Sequence, residues 1–526
     1  MIVSTDLSAF AAGEADTPIP ISCASRQSTA PISRAKVTGG TVEGIVHDGI
    51  ASFKGIPFAA PPVGELRWKA PQPVIPWDGI KAASNFAPAP MQDTTFSLSE
   101  FSASLRGSQE VSEDCLYLNV WTGARNVNEK RPVMVWIYGG GFGIGMTSTP
   151  TYDGANLAKR GVVLVSAAYR VGPMGFLAHP ELSAESGIGS GAYGIQDQIA
   201  ALHWVRENIA RFGGDPENVT IFGESAGGYS VSMHAASPSA AGLFHRVISQ
   251  SGANMGPPPL TLKEAEEMGK AYLEQLGAND IQAARALSAG LIQSATTGIG
   301  NFWPVPDNVT VLENQYEAYE EGRFNDTPIL IGTNSNEGGM FVRQTFTPAE
   351  FVNMVRRQYT SATDEILNAY PHSTDAEATR SAKDLFRESA FAWPTWAWAR
   401  LHSRNGREKA FTYYFDHRMA ASPDGADHAA ELPFVFGNLG GIGGRGTSAD
   451  DPRDRAISEL IMSYWVNFAR TGDPNLPNLP HWPAFTEADQ KAMFFDDEPG
   501  ARKLPNLGQI KAFDIFFSRI RLTKFN

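Results

Sequence analysis

With 526 residues, 42% of them hydrophobic and 19% charged, and with 30 Phe and 11 Trp, the chain has enough apolar mass for a large core and is neither disordered nor fibrous in composition. Its formal charge of −13, without Lys/Arg runs or basic residues interleaved with aromatics, argues against nucleic acid as a partner. Only Cys23 and Cys115 are present, too few for a disulfide framework in a chain of this length, so a reducing, cytoplasmic setting is expected.

The first 34 residues read as a flexible tail rich in small and polar types, without the apolar core of a secretory signal. Cys23 follows Ile21-Ser22 as in a lipoprotein processing site, but the apolar stretch such a site needs is missing. A leader removed before this point would instead make the protein periplasmic or secreted. No run reaches the eighteen or so apolar residues that cross a bilayer.

From residue 35 to 526 there is no repeat, heptad or low-complexity block, which predicts a single catalytic domain. Apolar, β-branched runs at Val133–Tyr138, Val162–Ala168, Val219–Phe222, Val247–Ser251 and Ile329–Gly332 predict strands covered on both faces. Between them, Ile195, Ile199, Leu202, Val205, Ile209 and Phe212 share one helical face, and Gly213-Gly214-Asp215-Pro216 ends that helix. Strands alternating with such helices predict an α/β fold around a mostly parallel sheet flanked by helices. From about 260 to 400 the pattern is largely helical, with Leu262–Leu276 and Ala376–His402 as continuous runs, and predicts an insertion over the carboxyl edge of the sheet, where ligands bind.

Two glycine-bearing turns carry the chemistry. Gly223-Glu224-Ser225-Ala226-Gly227 follows an apolar strand and opens a helix, so the glycines allow a sharp turn that thrusts the Ser225 hydroxyl out at a helix N-terminus. Tyr138-Gly139-Gly140-Gly141-Phe142 also follows a strand, and its bare backbone N–H groups suit an oxyanion. A nucleotide phosphate loop fits poorly: the GxGxxG spacing fails through Gly145, and no Lys-Ser/Thr follows. The residues alone leave the partners of Ser225 open. Five histidines follow Glu337 (His372, His402, His417, His428, His481), and Glu337 competes with many other carboxylates. Glu224, next to the nucleophile on a tight turn, is expected to point away from Ser225 and to be structural.

Further segments occur in a definite order: Phe53-Lys54-Gly55-Ile56-Pro57-Phe58-Ala59-Ala60-Pro61-Pro62, Glu113-Asp114-Cys115-Leu116-Tyr117-Leu118-Asn119, the Gly139–Gly141 run, Tyr169-Arg170-Val171-Gly172, Phe212-Gly213-Gly214-Asp215-Pro216, and the Ser225 turn. On these the chain resembles the type-B carboxylesterase family, which includes the cholinesterases, from about Ala35 to its C-terminus. The resemblance implies an α/β-hydrolase fold and a serine carboxylesterase of bacterial type that acts through an acyl-enzyme. It implies Ser225 as nucleophile, Glu337 in Gly332–Gly338 as the acid and His428 in His428–Gly437 as the base, in the family's chain order. It also implies the N–H groups of Gly140, Gly141 and Ala226 as the oxyanion hole, a small-molecule ester as substrate, and no metal or organic cofactor. The same machinery would serve acyl transfer to alcohols or amide and carbamate hydrolysis, and some esterase-like relatives only bind.

The chain departs from the family at three places. No cysteine stands in Phe86–Gln92 to pair with Cys115, which is therefore expected to be a free, buried thiol; Ala168 stands where Asn is usual, and Ala192 near a position often occupied by Asn. Phe302, Trp303, Phe341 and the segment Trp393-Pro394-Thr395-Trp396 are candidate walls of an apolar substrate cleft.

Overall fold

A computed structural model describes residues 30–93, 110–296, 302–419, 422, 424–441, 444 and 446–524. Cys23 and most of the expected tail lie outside the described residues, and the first described strand starts at Arg34 (Arg34–Val37).

The predicted apolar runs are strands of one 11-stranded sheet. In chain order these are β1 (Ile45–His47), β2 (Ile50–Pro57), β3 (Tyr117–Thr122), β4 (Arg131–Ile137), β5 (Val163–Ala167), β6 (Gly214–Glu224), β7 (Arg246–Gln250), β8 (Ile329–Asn334), β9 (Ala410–Phe415), β10 (Lys491–Phe495) and β11 (Gly500–Lys503). Their order across the sheet is β11-β10-β9-β8-β7-β6-β4-β5-β3-β2-β1. The strands from β5 through β4, β6, β7, β8 and β9 to β10 run parallel, and both margins are antiparallel. Every residue of β5, β8 and β9 is buried, as helices on both faces require.

The helices that matter below are α1 (Tyr193–Asn208), α2 (Ala226–Ala236), α3 (Leu262–Gln275), α4 (Asp375–Arg387), α5 (Trp393–Asn405), α6 (Pro452–Thr471) and α7 (Leu507–Lys524). The predicted apolar face of the 195–212 segment is buried, but its last turn tightens into a 3-10 helix, Ile209–Phe212. Gly213 then adopts φ 78° and ends it, as the glycine pair predicted. Arg170, just past β5, is buried against Asp197 of α1 at 2.7 Å and ties that helix to the sheet.

The 260–400 stretch is helical on both sides of β8, which belongs to the main sheet. The run read as one helix from Ala376 to His402 is broken: α4 and α5 are separated by a π-helical turn, Glu388–Ala392. Hydrophobic periodicity cannot register such a turn, because one extra residue in the helical repeat shifts the apolar stripe without erasing it.

Candidate active site

The parallel strands deliver the candidate residues to one edge. Gly223 of β6 pairs with Ile137 of β4, Glu224 with Gln250 of β7, Gln250 with Gly332 of β8, and Asn334 with Phe415 of β9. The residues after these carboxyl ends are therefore neighbours, whatever their separation in sequence. They are the Gly139–Gly141 run, Ser225, Ser251, Glu337 and the loop that carries His428.

Ser225 joins β6 to α2 at φ 56° and ψ −123°, a sparsely populated backbone conformation for a serine, as a nucleophile elbow demands. Its N–H donates to Gln250 O at 2.9 Å, which pins the turn to β7. The turn tolerates no side chain at Gly227, where a Cβ would stand 2.0 Å from Ile137 O. Beside it, Gly140 has φ 117°, and a Cβ there would meet Ile144 O at 2.3 Å. A Cβ on Gly139 would lie 2.9 Å from Ser225 Cβ, so the glycine run abuts the nucleophile. Ala226 begins α2, and its N–H has no acceptor within the helix.

Glu337 is fully buried. One oxygen, Oε1, accepts from the N–H of Asn334 at 2.7 Å and from the Ser251 hydroxyl at 2.6 Å. The other, Oε2, lies 2.5 Å from His428 Nδ1. The acid and base loops are laced together. Asn336 N–H donates to Ala426 O at 2.8 Å, Ala426 N–H to Ser335 Oγ at 2.8 Å, and Asn336 Nδ2 to Asp427 Oδ1 at 2.6 Å.

The structure corrects one expectation. Glu224 does not turn away from the site: its buried carboxylate reaches His428, with Oε1 3.1 Å from Nε2. The reason is geometric. Glu224 is the last residue of β6, and the reversal falls at Ser225, so both side chains reach the same edge. A third carboxylate, Glu431, lies three residues past His428 and accepts from Gln250 Nε2 at 2.8 Å and Asn334 Nδ2 at 2.6 Å. Burial raises the Glu431 carboxyl above its usual value. Burial alone would lower the His428 imidazole, but the carboxylates of Glu224 and Glu337 more than offset it and raise it to about 9.

Of the aromatic candidates, Phe341 meets the His428 ring edge-on at 5.2 Å. Trp303 stands over the glycine run and α2, against Phe142 at 4.7 Å and Tyr229 at 5.4 Å. Phe302 is buried and meets Tyr272 of α3. Trp393 and Trp396 face elsewhere: Trp393 stacks on Phe517 of α7, and Trp396 donates to Gln490. Sequence reading missed Ser251, Glu431, Tyr229 and Phe391. No local pattern in the sequence marks any of the four.

Among the described residues no group of three or more His, Cys, Asp or Glu side chains is disposed to hold a metal ion. No helix among them is long and apolar enough to cross a membrane. Cys115 is buried without a disulfide, and burial pushes its thiol well above the usual value.

The model of the carboxylesterase family matches residues 28–512. Fumonisin B1 esterase of Sphingopyxis macrogoltabida is 35% identical over 516 residues, covering 92% of this chain and 90% of that protein. Para-nitrobenzyl esterase of Bacillus subtilis (strain 168) is 36% identical over 487 residues, covering 87% and 94%. Cocaine esterase of Homo sapiens is 33% identical over 513 residues, covering 88% of each. Among solved structures, a PNB esterase superposes with a TM-score of 0.79 at 33% identity, over 91% of this chain and 99% of its own. A thermophilic PNB esterase reaches 0.81 at the same identity and coverage. The fold is that of the α/β hydrolases.

Proposed function

The chain belongs to the carboxylesterase family and is a carboxylic-ester hydrolase, and from that premise we propose that Ser225, His428 and Glu337 carry the reaction through an acyl-enzyme. The observation that supports this most is the buried contact of His428 Nδ1 with Glu337, which leaves Nε2 turned to Glu224, the residue before Ser225. With Nδ1–H donated to Glu337, Nε2 is the proton-accepting nitrogen.

In the first step Ser225 Oγ attacks the acyl carbon while His428 Nε2 takes its proton. Charge on the carbonyl oxygen is met by the N–H groups of Gly140, Gly141 and Ala226, each worth roughly 3 kcal/mol in comparable sites. The tetrahedral intermediate collapses, Nε2 returns the proton to the departing alcohol, and the acyl group stays on Ser225. Water then attacks the acyl carbon, giving its proton to Nε2, and collapse releases the acid and restores Ser225. Glu337 holds the tautomer and offsets the imidazolium charge throughout, and the Ser251 hydroxyl and Asn334 N–H hold Glu337.

The substrate is a small, uncharged or weakly charged ester. The rings of Phe341 and Trp303 favour this, as do relatives named for para-nitrobenzyl and cocaine esters. Residues 35–526 act as one catalytic unit, since the strands from β1 to β11 share a sheet. The unbridged Cys115 favours a reducing, cytoplasmic setting. The test is hydrolysis of p-nitrophenyl acetate by Ser225→Ala. Activity should vanish, and wild-type turnover by that variant would refute the assignment.

A further inference from the structure

The π-helical turn Glu388–Ala392 carries the second aromatic ring on the base. Phe391 is buried with its ring stacked on His428, centroids 4.7 Å apart and planes 23° apart, while Phe341 meets the same imidazole edge-on. Phe386, near the end of α4, stacks on Phe341 at 4.7 Å and backs the pair. The extra residue in this turn sets the angle at which everything after it faces the site, since one residue of helix is about 100° of rotation.

The turn is clamped on several sides, one of them the Tyr370 hydroxyl, which donates to Glu388 Oε2 at 3.2 Å. The Tyr229 hydroxyl, on α2 just beyond Ser225, donates to Ala390 O at 2.5 Å. Glu388, wholly buried, accepts from Arg387 Nε at 2.7 Å and from Asn506 Nδ2 at 2.5 Å. Arg387 Nη1 in turn donates to Ser335 O at 2.6 Å, on the loop that carries Glu337. A buried ion pair is weak as a source of stability but well suited to fixing register. Here it fixes the π turn relative to the acid loop.

We propose that this turn is a positioning element for the base. It lays Phe391 flat on His428, holds the imidazole between that face and the edge of Phe341, and stabilises the imidazolium formed as Ser225 is deprotonated. A cation over an aromatic face in a water-poor site gains from the ring quadrupole, and that gain is largest when the positive charge is fullest, in the transition state. Phe391 is thus a positioning residue that acts through His428, and the proposal rests on the role assigned to His428 above. The charged groups that face the imidazole are Glu224 at Nε2 and Glu337 at Nδ1, and the Glu431 carboxyl also acts on its charge.

The test compares kcat, KM and the pH dependence of kcat/KM for p-nitrophenyl acetate in full-length wild type, Phe391→Leu, Phe391→Tyr and Tyr229→Phe. Phe391→Leu should lose about tenfold in kcat with KM little changed. Its acid limb should move to lower pH, because an imidazolium without the ring face gives up its proton more readily. Phe391→Tyr, which keeps the face, should stay near wild type in both, and Tyr229→Phe should shift the limb in the same direction by less. A Leu variant with wild-type kcat and pH profile overturns the proposal. So does a loss borne by KM alone, or a Tyr variant impaired as much as Leu. Should the Leu variant not fold, the other two decide: an unmoved acid limb in Tyr229→Phe overturns the proposal, and a moved one beside a wild-type-like Phe391→Tyr supports it. Residual activity in Ser225→Ala, run alongside, would instead overturn the nucleophile assignment on which this inference rests.

Discussion

His428 lies among carboxylates, and their charges set the working pH. Because Glu224 and Glu337 raise the imidazole to about 9, the neutral form that can accept the Ser225 proton is filled on the alkaline side, and kcat/KM should climb through neutral pH. Glu224→Gln removes one negative charge from Nε2, so the imidazolium loses support, its pKa falls, and the acid limb of the pH profile should move to lower pH. A profile that stays in place or moves upward would contradict this reading of Glu224. Glu337→Gln, which costs His428 its tautomer, should lower kcat by roughly 10⁴-fold. Ser251→Ala, which removes one charge-assisted hydrogen bond from Glu337, should lower kcat by about tenfold. At this scale the sequence was partly legible. The glycines around Ser225 announced a turn, because only a residue without a side chain fits there. Glu337 and His428 emerged only through family resemblance, since nothing local distinguishes a catalytic histidine from a core one. Glu224 was misjudged because adjacency on a turn was taken to separate two side chains that the end of β6 presents together.

The elements explain why residues far apart in sequence converge. Strands β4, β6, β7, β8 and β9 are parallel and adjacent, so their following loops share an edge, and the apolar β-branched runs that build them were readable from the start. The elbow itself is an element-level fit. Gly227→Ala would press a methyl group into Ile137 O, and should destabilise the protein by roughly 1–3 kcal/mol and displace Ser225. Melting temperature and kcat should fall together in that variant, and an alanine tolerated without loss of either would refute the close-packed elbow. Asp197→Asn should act through stability, because it leaves Arg170 buried without its countercharge. It should lower stability by about 3–5 kcal/mol, read as a drop in melting temperature. The π turn between α4 and α5 was invisible in the sequence. Helical periodicity reports which face is apolar, and a single inserted residue shifts the face without erasing it.

The whole molecule is held by its sheet and by the apolar surface packed against it, since Cys115, the one described cysteine, makes no disulfide. Composition announced that much, whereas the three-carboxylate surround of His428 arises only when loops from β6, β8 and β9 meet, and no stretch of sequence contains it. That surround couples folding to pH. The folded-state pKa of His428 lies above its ordinary 6.5, so its contribution to stability is complete below about pH 6.5 and is lost as pH rises through about 9. Thermal stability should therefore decline over the interval in which activity rises, and His428→Asn should flatten that decline. The proposed mechanism turns on Ser225 Oγ as the atom that is acylated. The most direct measurement is mass spectrometry of the intact and protease-digested chain after reaction with an organophosphate ester. One adduct per chain is expected, on the peptide that contains Ser225, with loss of esterase activity in proportion to labelling. An adduct on another residue, or full labelling with activity intact, would contradict it.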